Sequence, residues 1–343
     1  MNERQLRILR ELGELGSVTA VAEALLMTPS AISQHLRLLQ RSIPVPLTER
    51  DGRRLVLTDA GRVLAGAAIE VESALARARH CVDDFVGEPA GDVSVAAFHS
   101  AAATFFPVLL RGRAATAPRL SLADEDVAQD HFPRLTRDYD LVVAHHLAHT
   151  PPWPGTVTVT TLLSEPLDVA MPAGHPLARE TSLSARDVAD QPWITVHDGF
   201  PLMATVDAVA TAANRRLDIV HRVNEFTVVA EIVAAGGGIA LMPRWTTRPH
   251  PALVLRPLTG VHAVRRIDVL HRPEQAARRA VRTVLGELRR AADTIRATDP
   301  TAANPTAANP TDPNPTDPNP TDPNPTDPNP TDPNPTDPNP ATP

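Results

Sequence analysis

The sequence predicts an α/β protein with a helical amino-terminal segment, one long helix and a larger carboxyl-terminal region of strands and helices. Through the first 86 residues, apolar side chains recur every three or four positions, which is the period of an amphipathic helix. Between residues 92 and 297, short aliphatic runs alternate with helical patterns. This alternation predicts strands joined by helices, with a parallel sheet and helices on both faces.

The composition is typical of a protein in a reducing compartment. The chain has 343 residues and no run of about 18 apolar residues, so we expect no membrane span. The first residues lack the apolar core of a signal sequence, and Cys81 alone cannot form an internal disulfide. We therefore expect a cytoplasmic protein.

The charge is close to balanced in the part of the chain that we expect to fold. The net charge is −7, but seven of the 40 acids lie in residues 298–343, which leaves 33 acids against 33 arginines. Binding to nucleic acid therefore requires a local basic patch. Residues 28–66 hold six arginines and three acids, which is a modest local excess of positive charge.

Residues 17–40, SVTAVAEALLMTPSAISQHLRLLQ, are typical of two helices joined by a tight turn. The second helix opens at Thr28-Pro29, a hydroxyl N-cap followed by proline at the first helical position. On a helical wheel, one side of this helix is apolar, and the opposite side carries hydroxyl, amide and guanidinium groups that can reach base edges and phosphates in a major groove. We predict a helix-turn-helix; an amphipathic helix with a solvated polar face is the alternative. The apolar side holds Ile32, Leu36 and Leu39, and the polar side holds Ser30, Ser33, Gln34, Arg37 and Arg41.

A turn that bears arginines follows the second helix. Residues 49–54 read ERDGRR and lead into the β-like run at residues 55–58, which is the pattern of a wing. Residues 1–58 are therefore predicted to form a winged helix-turn-helix. The expected DNA contacts are Thr28, Pro29, Ser30, Ser33, Gln34, Arg37, Arg41, Arg53 and Arg54.

Residues 59–86 are predicted to form one long helix. A seam with alternating spacings of three and four runs along it, which favours pairing with a second copy of the helix. Burial of the helix within its own domain is the alternative. The seam residues are Leu64, Ala67, Val71, Ala74, Ala78, Cys81 and Phe85.

The segment GEPAG at residues 87–91 is predicted to be a hinge. Among the elements that follow, we predict helices at residues 100–115, 126–137 and 274–297, and strands at residues 157–163 and 166–171 separated by Ser164-Glu165. Residues 298–343 repeat TAANP and TDPNP units. Because these units are rich in proline and lack large apolar side chains, we expect a disordered tail.

Over residues 4 to about 297, the sequence resembles the LysR-type transcriptional regulators. The resemblance rests on an ordered set of motifs. They are GSVT at residues 16–19, AEAL at 22–25, SAISQHL at 30–36, PLTER at 46–50, GRR at 52–54, LTDAG at 57–61, MPAGHPLA at 171–178 and GGIALMP at 237–243.

The resemblance implies a winged helix-turn-helix, a dimerising linker helix and an effector domain like a periplasmic binding protein. That domain would have two α/β lobes, lobe I from residues 91–163 and 249–297, and lobe II from residues 164–248. A small effector in the cleft between the lobes would change how a tetramer holds and bends its operator. The implied partners are double-stranded operator DNA, the effector, further copies of the chain as a homodimer and homotetramer, and RNA polymerase, with a nucleoid-associated location and no enzymatic activity.

Helix N-termini facing such a cleft offer free N–H groups and partial positive charge to an anion. Ordinary helix caps and strand ends are the alternative for each of them. Asp198 and Glu225 would suit an effector that carries an amino group. The candidate effector contacts are His99, Ser100, Ala101, His145, Asp198, Gly199, Phe200, Glu225, Phe226 and Thr227.

The sequence offers two other interpretations. His145, His146 and His149 have spacing that suits a metal on a helix, but they end a predicted strand and precede Pro151, so we expect neither a metal nor a cofactor. A solute-binding or enzymatic α/β domain with an amino-terminal dimerisation module is the alternative function. Such a dimeriser has no use for arginines on the polar helix face and the wing.

Overall fold

The computed structural model describes residues 1–52, 54–86, 91–198 and 200–298, with the backbone alone for residues 79–86. Arg53, Gly199, most of the predicted hinge and the predicted tail lie outside the described residues. All the described residues belong to one compact unit.

Three helices and a hairpin form the amino-terminal module. Asn2, Ser17 and Thr28 cap the three helices, and in each case the side-chain oxygen accepts a hydrogen bond from a backbone N–H of the first turn. The antiparallel hairpin is the wing that the sequence predicted. The elements are α1 (Glu3–Leu15), α2 (Val18–Ala24), α3 (Pro29–Arg41), β1 (Thr48–Asp51) and β2 (Arg54–Leu57).

Leu26 makes the tight turn between α2 and α3. Its φ is 51° and its side chain is 95% exposed. The left-handed region is unfavourable for a residue with a Cβ, so the turn holds local strain. The apolar faces of α1, α2 and α3 form one small core with the base of the wing, centred on Ile8, Leu9, Ile32 and Leu39.

The long helix α4 (Asp59–Val86) has the bounds predicted from the sequence. Gly61 lets it lie against the loop before the wing, because a Cβ there would stand 2.0 Å from the carbonyl oxygen of Leu47. One side of α4 packs against α1 and against the predicted effector domain. The other side is exposed, and it carries the predicted seam residues Ala67, Val71, Ala74 and Ala78.

The predicted effector domain begins with strands and helices that alternate. Its first part contains a 3₁₀ segment, Gln129–His131, directly before α6. The elements are β3 (Asp92–Ala97), α5 (His99–Leu110), β4 (Arg119–Asp124), α6 (Phe132–Leu135), β5 (Leu141–Leu147) and β6 (Thr158–Pro172).

The remaining elements complete two lobes. Two further 3₁₀ segments occur, Pro176–Arg179 after β6 and Pro273–Ala277 before the last helix. The elements are β7 (Leu183–Ser184), α7 (Ala185–Val188), β8 (Pro192–Thr195), α8 (Leu202–Ala213), β9 (Asp218–Arg222), α9 (Phe226–Ala234), β10 (Ala240–Pro243), β11 (Leu253–Arg256), β12 (Leu258–Thr259), β13 (Val264–His271) and α10 (Arg279–Ala297).

One sheet runs through both lobes in the order β10-β6-β13-β5-β3-β4, and β11 also pairs with β6. β3 is parallel to β4 and β5, but β13 is antiparallel to β5 and β6. The sheet is therefore mixed, and the prediction of a parallel sheet holds only for part of it. β6 and β13 cross between the lobes, so the two lobes share their longest strands.

Several predicted elements differ from the structure. The helix predicted at residues 126–137 is only a 3₁₀ segment and α6, because Pro133 lacks the N–H that a longer helix would need. Residues 158–172 form one strand across the predicted break at Ser164-Glu165. The last helix begins at Arg279, since Arg278 is extended and its guanidinium bonds Asp140.

The return from the second lobe to the first also differs from the prediction. We expected lobe I to resume at residue 249. β11 instead pairs with the second-lobe end of β6, and Leu253 and Leu255 pack against the second-lobe core. The chain re-enters the first lobe with β13. Within the described residues, no helix is both long and apolar enough to cross a membrane.

Candidate DNA interface and effector cleft

The apolar side of α3 fixes the helix in the module and leaves the polar side outward. Ile32 and Leu39 are 0% exposed and Leu36 is 7% exposed. At the first turn, the Thr28 hydroxyl accepts from the Ala31 N–H at 3.2 Å and lies 3.0 Å from the Ser30 hydroxyl. The start of α3 is therefore ordered without any nucleic acid.

The structure places the predicted DNA contacts of α3 on one surface. The Ser33 hydroxyl donates to the Pro29 carbonyl oxygen at 2.9 Å, and Arg37 Nε donates to the Ser33 carbonyl oxygen at 3.2 Å. These bonds hold both side chains against the helix while the terminal amino groups of Arg37 stay available. Ser33 is half-buried, and the others are exposed, namely Thr28, Pro29, Ser30, Gln34, Arg37 and Arg41.

Leu38 was not among the predicted contacts. It is 42% exposed beside Gln34 on the same side of α3. An apolar side chain at this place can contact the methyl group of thymine in a major groove. The helical wheel of α3 already indicates that Leu38 is exposed, because Leu38 lies outside the apolar stripe.

Gln40 holds the loop between α3 and the wing. Its amide oxygen accepts from the Leu47 N–H, and its amide nitrogen donates to the Val45 carbonyl oxygen, both at 2.8 Å. The wing follows, with Arg54 exposed opposite Asp51 at the hairpin end. Gln40 thus fixes the wing relative to α3, a role that a wheel does not reveal.

A cavity of about 340 Å³ lies in the cleft between the lobes, and most of its wall is apolar. It brings together six of the predicted effector contacts: His99, Ser100, His145, Phe200, Glu225 and Phe226. Ala101, Asp198 and Thr227 lie nearby but do not line it. Gly199 lies outside the described residues.

Arg265 is the principal cleft residue that the sequence did not indicate. Its guanidinium is buried, 5.2 Å from the centre of the Phe98 ring and 5.6 Å from that of Phe226. Nε donates to Glu165 at 2.8 Å, and Nη2 donates to the Ser100 hydroxyl at 3.1 Å. Arg265 therefore contacts both lobes where β6 and β13 cross, and Glu165 balances its charge.

The mouth of the cleft is acidic. His99 lies 3.5 Å from Asp124 and 3.7 Å from Glu225. Burial would raise the pKa of the Glu225 carboxyl, but hydrogen bonds from Thr227 and Val228 outweigh it and hold the pKa below its usual range. Burial raises the pKa of Asp126, and the nearby Glu225 adds to that increase.

His145 is a neutral wall residue of the cleft. Its ring contacts Phe98 and Phe132 edge-on, at 5.0 and 5.3 Å between ring centres. Burial lowers the pKa of His145 to about 3, and the charge of Arg265 adds to this effect. His146 Nε2 lies 2.9 Å from the Pro151 carbonyl oxygen. In the described part of the chain, no group of three His, Cys, Asp or Glu side chains is arranged to hold a metal.

An interdomain ionic cluster joins the amino-terminal module to the effector domain. Arg272 Nη1 donates to Glu11 at 2.7 Å, and Arg272 Nη2 donates to Glu14 at 3.2 Å. Burial raises the pKa of Glu72, against the opposing effect of Arg10. The cluster comprises Arg10, Glu11 and Glu14 of α1, Glu72 of α4, and Arg272 and Glu274 at the 3₁₀ segment Pro273–Ala277.

The fold thus combines a winged helix-turn-helix with a two-lobed domain that encloses a small-molecule cleft, the architecture of a ligand-responsive DNA-binding regulator. Residues 3–62 match the family described as bacterial regulatory helix-turn-helix protein, lysR family. Residues 87–293 match the LysR substrate binding domain. The chain belongs to the LysR family of transcriptional regulators.

Relatives in sequence are regulators rather than enzymes. The uncharacterized HTH-type transcriptional regulator YybE of Bacillus subtilis (strain 168) is 27% identical over 248 residues, covering 71% of this chain and 82% of that protein. The transcriptional activator CmpR of Synechocystis sp. is 24% identical, covering 69% of this chain and 77% of that protein.

Solved structures share the fold. A full-length, singly substituted OxyR from Pseudomonas aeruginosa has a TM-score of 0.54 and 20% identity, and the match covers 86% of this chain and 95% of that one. A mutant OxyR from Corynebacterium glutamicum has a TM-score of 0.50 and 23% identity, with 86% and 94% covered. Both predictions, the fold class and the regulator function, are confirmed.

Proposed function

We propose that α3 reads operator DNA in a major groove through Ser30, Ser33, Gln34 and Arg37, while Thr28, Pro29, Arg41, Arg53 and Arg54 position the module on the phosphate backbone. The observation that carries this proposal is the exposed polar side of α3, which is ordered by its own hydrogen bonds beside a wing. Base contacts specify the sequence, whereas phosphate contacts supply affinity.

The backbone role is tested by measuring affinity for a random-sequence duplex as a function of salt. Arg54→Ala should weaken binding and reduce the slope of log affinity against log salt by about one. Arg279→Ala is the control, because Arg279 is also exposed but lies on α10. An unchanged slope in Arg54→Ala would remove Arg54 from the interface.

We also propose that the interlobe cleft binds the effector, and that this effector is a compact apolar amine. Arg265 is already neutralised by Glu165, and the Glu225 carboxylate itself caps α9 through the Val228 N–H at 2.8 Å. The charge of Arg265 and the N-terminus of α9 are therefore both satisfied within the chain, so neither favours an anionic effector. The carboxylates of Asp126 and Glu225 at the mouth would instead be stabilised by a cation.

Matched compounds test the effector class. Phenethylamine and 3-phenylpropionate have similar apolar bodies and opposite charges. We expect the amine to raise the melting temperature of the protein more than the acid does, because a ligand stabilises the state that it binds. Glu225→Gln should remove that preference, and Ser100→Ala should weaken binding of both compounds. A larger shift with the acid would contradict the assigned class, and no shift with any compound of a wider metabolite panel would contradict the sensor role of the cleft.

We propose further that α4 pairs with its copy through the exposed side at Ala67, Val71, Ala74 and Ala78, giving a homodimer and then a homotetramer. Sedimentation of Val71→Glu, which should dissociate the dimer, tests this. As a regulator of transcription, the protein is expected to act in the cytoplasm at the nucleoid and to contact RNA polymerase, without a cofactor.

A further inference from the structure

A second cavity, of about 690 Å³, lies between the amino-terminal module and the first lobe. We call it the interdomain cavity. Leu57, Gly66 and Ile69 line it on the module side, and Pro133, Trp153 and Gly155 line it on the lobe side. It is distinct from the interlobe cleft and larger than it.

The lobe side of the interdomain cavity includes a rigid apolar wall around Trp153. Trp153 is held in place because its Nε1 donates to Asp268 at 2.7 Å and its ring packs 5.3 Å from that of His146. Pro151, Pro152 and Pro154 flank it, and proline contributes no N–H donor. Such a wall suits an aromatic body, which gains by packing on the ring faces.

Two guanidiniums at the cavity have no carboxylate partner within the described ranges, and one acid opposes them. Arg62 is engaged by Asp59, and Glu14 is engaged by Arg272. Arg134 has no ion-pair or hydrogen-bond partner for its guanidinium within the described ranges, and Arg137 uses only Nε, which donates to a backbone carbonyl. Asp130 is the opposing acid, 3.9 Å from its neighbour His131.

We propose that the interdomain cavity binds a small molecule with an aromatic body and one negative charge. Gln129, Asp130 and Pro151 line this cavity and the interlobe cleft alike. A ligand that bridges the module and the lobe stabilises their packed arrangement, and by linkage it is coupled to any ligand of the cleft that moves the shared wall. The site does not depend on the effector role proposed for the cleft.

Calorimetric titration of the full chain with 1-naphthalenesulfonate, and with the neutral 1-naphthalenemethanol, tests the site. Gly155→Trp fills the cavity, since a Cβ at Gly155 meets nothing within 4 Å. This variant should weaken the binding of both compounds at least tenfold. The double variant Arg134→Ala/Arg137→Ala should weaken binding of the sulfonate about five- to tenfold and leave binding of the alcohol unchanged. Arg179→Ala is the control, because Arg179 is an exposed arginine on the second lobe, and it should alter the binding of neither compound.

Two further variants address misfolding of Gly155→Trp and binding of the sulfonate in the interlobe cleft. Gly66→Leu fills the cavity from α4, where a Cβ also meets nothing within 4 Å, and it replaces Gly155→Trp if that variant does not fold. Leu202→Trp narrows only the interlobe cleft. Loss of sulfonate binding in Leu202→Trp with retention in both cavity-filling variants would place the ligand in the cleft and overturn the proposal. Absence of sulfonate binding to the unaltered chain would overturn it as well.

Discussion

Replacing Arg272 by methionine would break the interdomain ionic cluster at a buried contact. Methionine keeps the apolar stem of the side chain and removes the guanidinium with its charge and donors. The change leaves Glu11, which is 2% exposed, without its partner at 2.7 Å, and Glu11 Oε2 has no other partner within the described ranges. The variant therefore buries an uncompensated carboxylate.

The size of the loss follows from that burial. Removing one partner of a buried ion pair costs about 3–5 kcal/mol, because the remaining charge stays desolvated. Glu14 contributes little to the loss, since it is more exposed and retains Arg10 at 3.4 Å. We therefore expect Arg272→Met to destabilise the chain by about 3 kcal/mol or more.

Urea denaturation followed by circular dichroism measures this loss. Arg279→Met is the control, because Arg279 is exposed and outside the cluster. The double variant Glu11→Leu/Arg272→Met should recover most of the stability, since both charges are then absent. A loss below about 1 kcal/mol in Arg272→Met, or no recovery in the double variant, would refute the reasoning that the cluster is a buried, coupled unit.

Three smaller changes test other parts of the structure. The folded pKa of His145, about 3, lies below its ordinary value of 6.5, so the stability of the protein should fall as the pH drops below 6.5. Between pH 6.5 and 5 we expect a loss of about 2 kcal/mol. Urea denaturation at the two pH values measures this loss, and His145→Gln should remove it. Leu26→Gly should raise the melting temperature, because glycine tolerates the left-handed turn and relieves about 1 kcal/mol. Gln40→Met should cost about 1–3 kcal/mol by leaving the Leu47 N–H and the Val45 carbonyl without their partner, and should also weaken DNA binding in a gel shift.

The sequence predicted the elements whose causes are local. α3 is an example, because Thr28, Pro29 and the stripe of Ile32, Leu36 and Leu39 all lie within its own length. The bounds of α4 were predicted for the same reason. The helix expected at residues 126–137 was wrong although its cause is also local, because Pro133 prevents a continuous helix through this segment.

The contacts that could not be predicted join residues far apart in the chain. Arg265 bonds Glu165 across 100 positions, and Arg272 bonds Glu11 across 261. Periodicity carries no information on such pairs. The predicted break at Ser164-Glu165 was wrong for this reason: the strand continues through Glu165, because Arg265 on the adjacent strand neutralises it in place.

The central claim is that the polar side of α3 reads the DNA sequence. Selection of bound duplexes from a randomised pool, carried out with the unaltered chain and with Ser33→Ala, Gln34→Ala and Arg54→Ala, tests it most directly. We predict that the two α3 variants lose discrimination of about 1–3 kcal/mol at individual base pairs, while Arg54→Ala selects the same sequence with lower affinity. Recovery of one identical preferred sequence, with unchanged affinity, by all three variants would contradict the claim.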